Sequence, residues 1–157
     1  MPNIENINKI IDWIKADDAK HFRMASFVMR MDGKGRVIDD VPDEYLECRT
    51  AFCICGSANM IRLNEAKVDW KRITGDDFAS KFSDTITATD WLGIDQDQAH
   101  DLFYASPIGI EWFDSLPKKV RFYSAIAVLE TLRDKNVVDW AAAVDAGKKQ
   151  AKARKIV

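Results

Sequence analysis

Histidine and cysteine are scarce in this chain, two and three residues respectively, and the shortage removes several chemistries. An odd number of cysteines is poorly suited to a disulfide framework, which favours a reducing compartment. Cys53 and Cys55 are two positions apart, so on a helix they diverge by about 200° and cannot grip one ion together. Cys48 lies before that helix and can approach Cys53, but two thiols are half of a structural zinc site. His21 and His100 add no ligand pair at zinc spacing. With so little histidine, acid–base catalysis would fall to carboxylates.

Motifs are missing as well. There is no GxxxxGK[ST] phosphate loop, GxGxxG, HExxH or GxSxG. DGKGRVIDD, residues 32–40, resembles a piece of a calcium loop without its spaced acids or terminal glutamate. No apolar run approaches the ~18 residues of a membrane span. MPNIENINKIID at the start has neither the basic beginning nor the apolar core of a secretory signal. The expectations are no catalytic residue, no metal, no cofactor, no membrane partner, and a place in the cytoplasm of a bacterial cell.

What is there centres on Cys48–Leu63, CRTAFCICGSANMIRL. It predicts a helix over 51–64 with Thr50 as N-cap. No charge falls between Ala51 and Ile61, whereas a surface helix needs one charged face. Small residues occur around the whole circumference, which predicts a buried central helix closely approached by its neighbours. In an alternative reading the same small row lines a ligand cleft, with Cys48, Thr50, Ser57 and His100 as polar lining.

The rest of the 157-residue chain reads as mainly α. Ile4, Ile7, Ile10 or Ile11, and Ile14 recur at helical spacing after Asn3, a cap, and predict a helix over 3–16. Ser26–Met31 and Arg36–Ile38 read as a small β-hairpin around DGKG. Helices follow at Thr85–Leu92, ended by Gly93, and at Gln96–Tyr104, started by Asp95. Trp112 and Phe113 are expected in a loop. A long helix with Pro117 in its first turn runs to about Asp134 and stops near Asn136, burying Val120, Phe122 or Tyr123, Ile126, Ala127 and Leu129. Asp139 caps the last helix, whose later half has few apolar anchors and is expected to fray or project. Five tryptophans are expected mostly as core anchors. His100 and Asp101, adjacent on a helix, are not expected to face each other. The architecture is thus a single globular helical domain, residues 1–147, around a buried central helix, with a small β-hairpin and a basic tail at 148–157.

Net charge is −2 but unevenly distributed. Asp39 to Asp101 holds fourteen acids against six bases, and the last ten residues hold Lys148, Lys149, Lys152, Arg154 and Lys155 with no acid. Asp39, Asp40, Asp43, Glu44, Glu47, Asp76 and Asp77 form a candidate acidic surface that would steer a basic partner. The basic tail reads as a solvated helix end favoured by the helix dipole, or as a phosphate-contacting segment.

CRTAFCICGSA is similar to the Cys-Gly-Thr-x-x-Cys-Ile-Ala-Gly-(His/Trp)-Ala core of a group of small, largely uncharacterised bacterial and bacteriophage proteins. Cys48, Thr50, Cys53, Ile54, Gly56 and Ala58 match that core; Arg49, Cys55 and Ser57 replace its Gly, Ala and His or Trp. HFRMASF resembles the group's Phe-Asp-Met-x-x-Trp region, and DWLGIDQDQAHDLF its Leu-Leu-Gly-Leu…Gln-Ala…Leu-Phe segment. Trp112, SLPKKV and VVDW fall in the same order, so the resemblance covers about residues 20–140. It implies a phage or mobile-element setting and no catalytic role. The functional expectation is a non-enzymatic protein that binds a host protein, such as a defence or nucleic-acid-binding protein, through its acidic surface. The alternatives are a small-ligand or nucleotide-binding protein or enzyme with a cleft beside the central helix, and nucleic-acid binding through the basic tail.

Overall fold

The computed structural model of the chain describes residues 1–17, 28–30, 50–68, 81 and 84–153. Among these, the elements in order are α1 (Ile4–Asp17), β1 (Val28–Arg30), β2 (Thr50–Phe52), α2 (Ile54–Glu65), α3 (Thr85–Leu92), α4 (Gln96–Tyr104), α5 (Ile110–Ser115), α6 (Lys118–Lys135) and α7 (Trp140–Ala153). The protein is mainly helical.

Short-range chemistry sets most helix ends. Asn3 Oδ1 accepts from the Asn6 amide at 3.2 Å. Asp84 caps α3 by accepting from the Thr87 amide at 2.9 Å. Asp95 and Gln98 form a reciprocal capping box on α4, satisfying two amides that the first turn leaves open. Asp139 accepts from the Ala142 amide at 2.9 Å at the start of α7. Gly93, with φ 65°, and Asn136, with φ 57°, end α3 and α6 in the left-handed region, where glycine and asparagine carry the smallest penalty. Gly93 has a second role. A Cβ there would lie 3.0 Å from the Met1 carbonyl oxygen, because the Asn3 amide donates to the Leu92 carbonyl at 2.7 Å and ties the N-terminal residues to the end of α3.

The central helix is shorter than the sequence predicts. Thr50–Phe52 is a strand antiparallel to Val28–Arg30, with Val28 opposite Phe52 and Arg30 opposite Thr50. Thr50 therefore does not cap α2. Cys53 does, through a 3.4 Å contact of its sulfur with the Gly56 amide. The two-stranded ladder joins residues far apart in sequence rather than a local hairpin; Arg36–Ile38 lies outside the described residues. β-Branched Thr50 and aromatic Phe52, two positions apart, are residue types that suit a pleated strand, and helical geometry begins only once that ladder ends.

From Ile54 to Ile61 every residue of α2 is buried. Its neighbours are α1 and α3, with lesser contact to α4 and β2. Lys9 on α1 clamps this junction, its ammonium 2.9 Å from Glu5 and 2.6 Å from Glu65.

α6 is a second buried helix. Phe122, Tyr123, Ser124, Ala125, Ile126, Val128 and Leu129 are all buried, while Ala127 is only partly so. The signal was the uncharged run FYSAIAVL, 122–129, which obeys the same rule as α2. α6 pairs most extensively with α7 and also contacts α1, so one continuous apolar cluster reaches from Ile7 to Ala151. Within it Trp140 is fully buried, donates Nε1–H to the Asp101 carbonyl at 2.8 Å, and meets Phe113 edge-on at 4.8 Å between ring centres.

Several expectations are corrected. Trp112 and Phe113 lie in helix α5, not in a loop; Phe113 is buried and Trp112 is 46% exposed. Ile4 stands 56% exposed outside the apolar stripe of α1. Pro117 precedes α6 as its N-cap. The later half of α7 is packed, with Gly147 and Ala151 buried, and the helix extends to Ala153. Gly147 makes this possible: a Cβ there would lie 2.3 Å from the Ser124 Oγ and 2.8 Å from the Val120 carbonyl oxygen. The backbones of α6 and α7 approach closely enough that only glycine fits.

Candidate functional site

Two regions can be weighed as sites: the head of α2 and the face shared by α6 and α7. At the head of α2 the polar groups turn inward. Ser57 is wholly buried and donates its hydroxyl to the Cys53 carbonyl at 2.8 Å. Asn59, also fully buried, donates to the Asp84 carbonyl at 3.1 Å and lies 3.7 Å from the Cys55 sulfur. Burial pushes the Cys53 thiol up to about 11 and raises Cys55 further. A thiol attacks or ligates as the thiolate, so both sulfurs are neutral packing groups near pH 7. Among the described residues no three His, Cys, Asp or Glu side chains converge as a metal site would require.

Of the sequence-derived lining set, the two residues whose side chains are described, Ser57 and His100, differ in exposure. Ser57 is sealed, while His100 on α4 is exposed, 3.5 Å from Asp101 and tilted against Tyr104 at 5.3 Å between ring centres. That contact with Asp101 is closer than adjacency on a helix suggests. Cys48 lies outside the described residues, and Thr50 is placed as part of β2. Asp39, Asp40, Asp43, Glu44, Glu47, Asp76 and Asp77 also lie outside the described residues.

The face of α6 and α7 turns outward. Pro117, Lys118, Lys119 and Val120, at the start of α6, and Lys148, Ala151 and Lys152, on the last turns of α7, line a groove of about 380 Å³. The antiparallel pairing of the two helices, locked at Gly147, brings the first turn of one beside the last turns of the other. The floor is aliphatic: Val120 and Ala151 are each 8% exposed. The rim is cationic, with all four lysines exposed. Lys148 and Lys152 are one turn apart and share a helix face. Among the described residues, the carboxylate paired with this rim is Asp145, 3.7 Å from Lys148. The first turn of α6 contains no acid and no side-chain cap. Sequence reasoning found Lys148 and Lys152 as a tail. It missed Lys118 and Lys119, because their partners are on another helix.

The groove offers apolar area and fixed positive charge. No family model, no curated protein and no solved structure matches the chain.

Proposed function

We propose that the chain is a non-enzymatic binding protein whose basic α6–α7 face engages an acidic segment of a partner protein. One observation carries this reading: Lys118 and Lys119 converge with Lys148 and Lys152 on a single aliphatic groove. Opposed charge steers association and suppresses wrong partners, and apolar burial holds the complex once formed. The acidic surface expected from Asp39–Glu47 and Asp76–Asp77 lies outside the described residues; the basic face is the one whose described geometry supports a reading. A phage or mobile-element setting, with a host protein as partner, rests on the sequence resemblance alone.

A protein segment suits the groove better than nucleic acid does. Single-strand binders stack bases on aromatic side chains, and no aromatic residue lines this groove among the described residues. Duplex binders present a dominant basic field, whereas this chain is net acidic. Among the described residues the lining cations are lysines, not the arginines whose planar fork fits phosphate bidentately.

Fluorescence anisotropy with a labelled Asp/Glu-rich peptide and a labelled DNA duplex, at matched ionic strength, tests this. The acidic peptide should bind, weaken as salt rises, and lose at least tenfold in affinity on Lys148→Glu/Lys152→Glu. Tighter binding of the duplex, or no binding of either probe, would count decisively against it.

A further inference from the structure

Resting on that reading, we infer that the groove selects a segment in which one branched aliphatic side chain is flanked on both sides by carboxylates. The floor of Val120 and Ala151 offers carbon and, among the described residues, no hydrogen-bonding side chain, so a polar group seated there would lose its water without recompense. Its volume of about 380 Å³ is near the lower end of ligand pockets, roughly 300–1,000 Å³. One aliphatic anchor with its adjoining backbone suits that space.

The lysine stems extend the apolar wall while their ammonium groups stay in water. The cations stand on both walls of the groove: Lys118 and Lys119 on α6, Lys148 and Lys152 on α7. An anchor on the floor therefore has positive charge to either side, and a carboxylate before and after it meets one wall each. A uniformly acidic segment satisfies the rim and leaves the floor empty.

The test compares two labelled peptides, identical in their Asp/Glu flanks, one with a central leucine and one with serine there. They are titrated against the full chain, Ala151→Leu, and Lys148→Glu/Lys152→Glu. The leucine peptide should bind about tenfold or more tightly, in keeping with burial of one aliphatic side chain. Ala151→Leu fills the floor and should erase that preference while sparing the serine peptide; the double charge reversal should weaken both. Equal affinities of the two peptides for the unaltered chain would overturn the anchor inference yet leave the basic face standing. Failure of both peptides to bind would overturn both. The peptide comparison needs no altered protein, so a folding defect in Ala151→Leu cannot decide the outcome.

Discussion

Gly147 of α7 faces Ser124 of α6 so closely that a Cβ at position 147 would fall 2.3 Å from the Ser124 hydroxyl oxygen and 2.9 Å from the Ser124 amide nitrogen. The side chain of Ser124 is itself engaged, donating to the Val120 carbonyl at 2.7 Å. This contact sets the spacing of the two helices and therefore the width of the groove beside it.

Gly147→Ala should destabilise the protein, although alanine is the better helix former. The gain in propensity is about 1 kcal/mol. Against it stands overpacking, typically 1–3 kcal/mol, and two of the three nearest atoms are backbone that cannot swing aside. A net loss of about 1 kcal/mol is expected in urea melts. Adding Ser124→Ala should recover only part of it, since the Val120 carbonyl and Ser124 amide remain in the way.

The thiols of Cys53 and Cys55 should resist reagents in the folded protein. In a Cys48→Ser background, Ellman's reagent at pH 8 should react with neither until denaturant is added. Alkaline pH should also lower stability. The folded Cys53 pKa stands above its ordinary 9.0, at about 11, because burial disfavours the thiolate. Below pH 9 both states keep the proton and no pH dependence arises. As pH rises from 9 through 11 the unfolded chain releases it first, and stability falls by on the order of 2 kcal/mol. Cys53→Ser keeps a capping oxygen and should lack that component of the slope.

Asp84 should matter on the acid side. A hydrogen bond from the Thr87 hydroxyl, and then one from its amide, hold this carboxyl below its ordinary 3.8. A depressed folded pKa gives stability that is present above that ordinary value and is lost as pH falls through the folded one. Asp84→Ala should cost about 1 kcal/mol at pH 7 through the lost cap. Asp84→Asn should cost less, and its stability should vary less with acid pH than that of the unaltered chain.

Local chemistry was legible in the sequence wherever cause and effect were within a turn of each other. Asn3, Asp95 and Asp139 cap the helices expected of them, Gly93 and Asn136 end theirs, and the uncharged Ala51–Ile61 run marks a buried helix. Distance in sequence hid the rest. Thr50 resembled a cap because its strand partner, Arg30, was invisible from its own neighbourhood. The six-residue helix α5 is too short to show a period, so Trp112 and Phe113 looked like loop. The end of α7 appeared unanchored because its packing surface is Gly147 and Ala151, and hydrophobic periodicity takes no account of contacts made by absence of a side chain. Lys118 and Lys119 gave no sign of belonging with Lys148 and Lys152. That juxtaposition exists only once the two helices pair.

The most direct test of the basic groove as the working surface is an ¹⁵N chemical-shift titration of the full chain with the leucine-centred acidic peptide. The largest shifts should fall on Lys118–Val120 and Lys148–Lys152 and shrink as salt is raised. Shifts concentrated on α1 and α3, or none at saturating peptide, would contradict it.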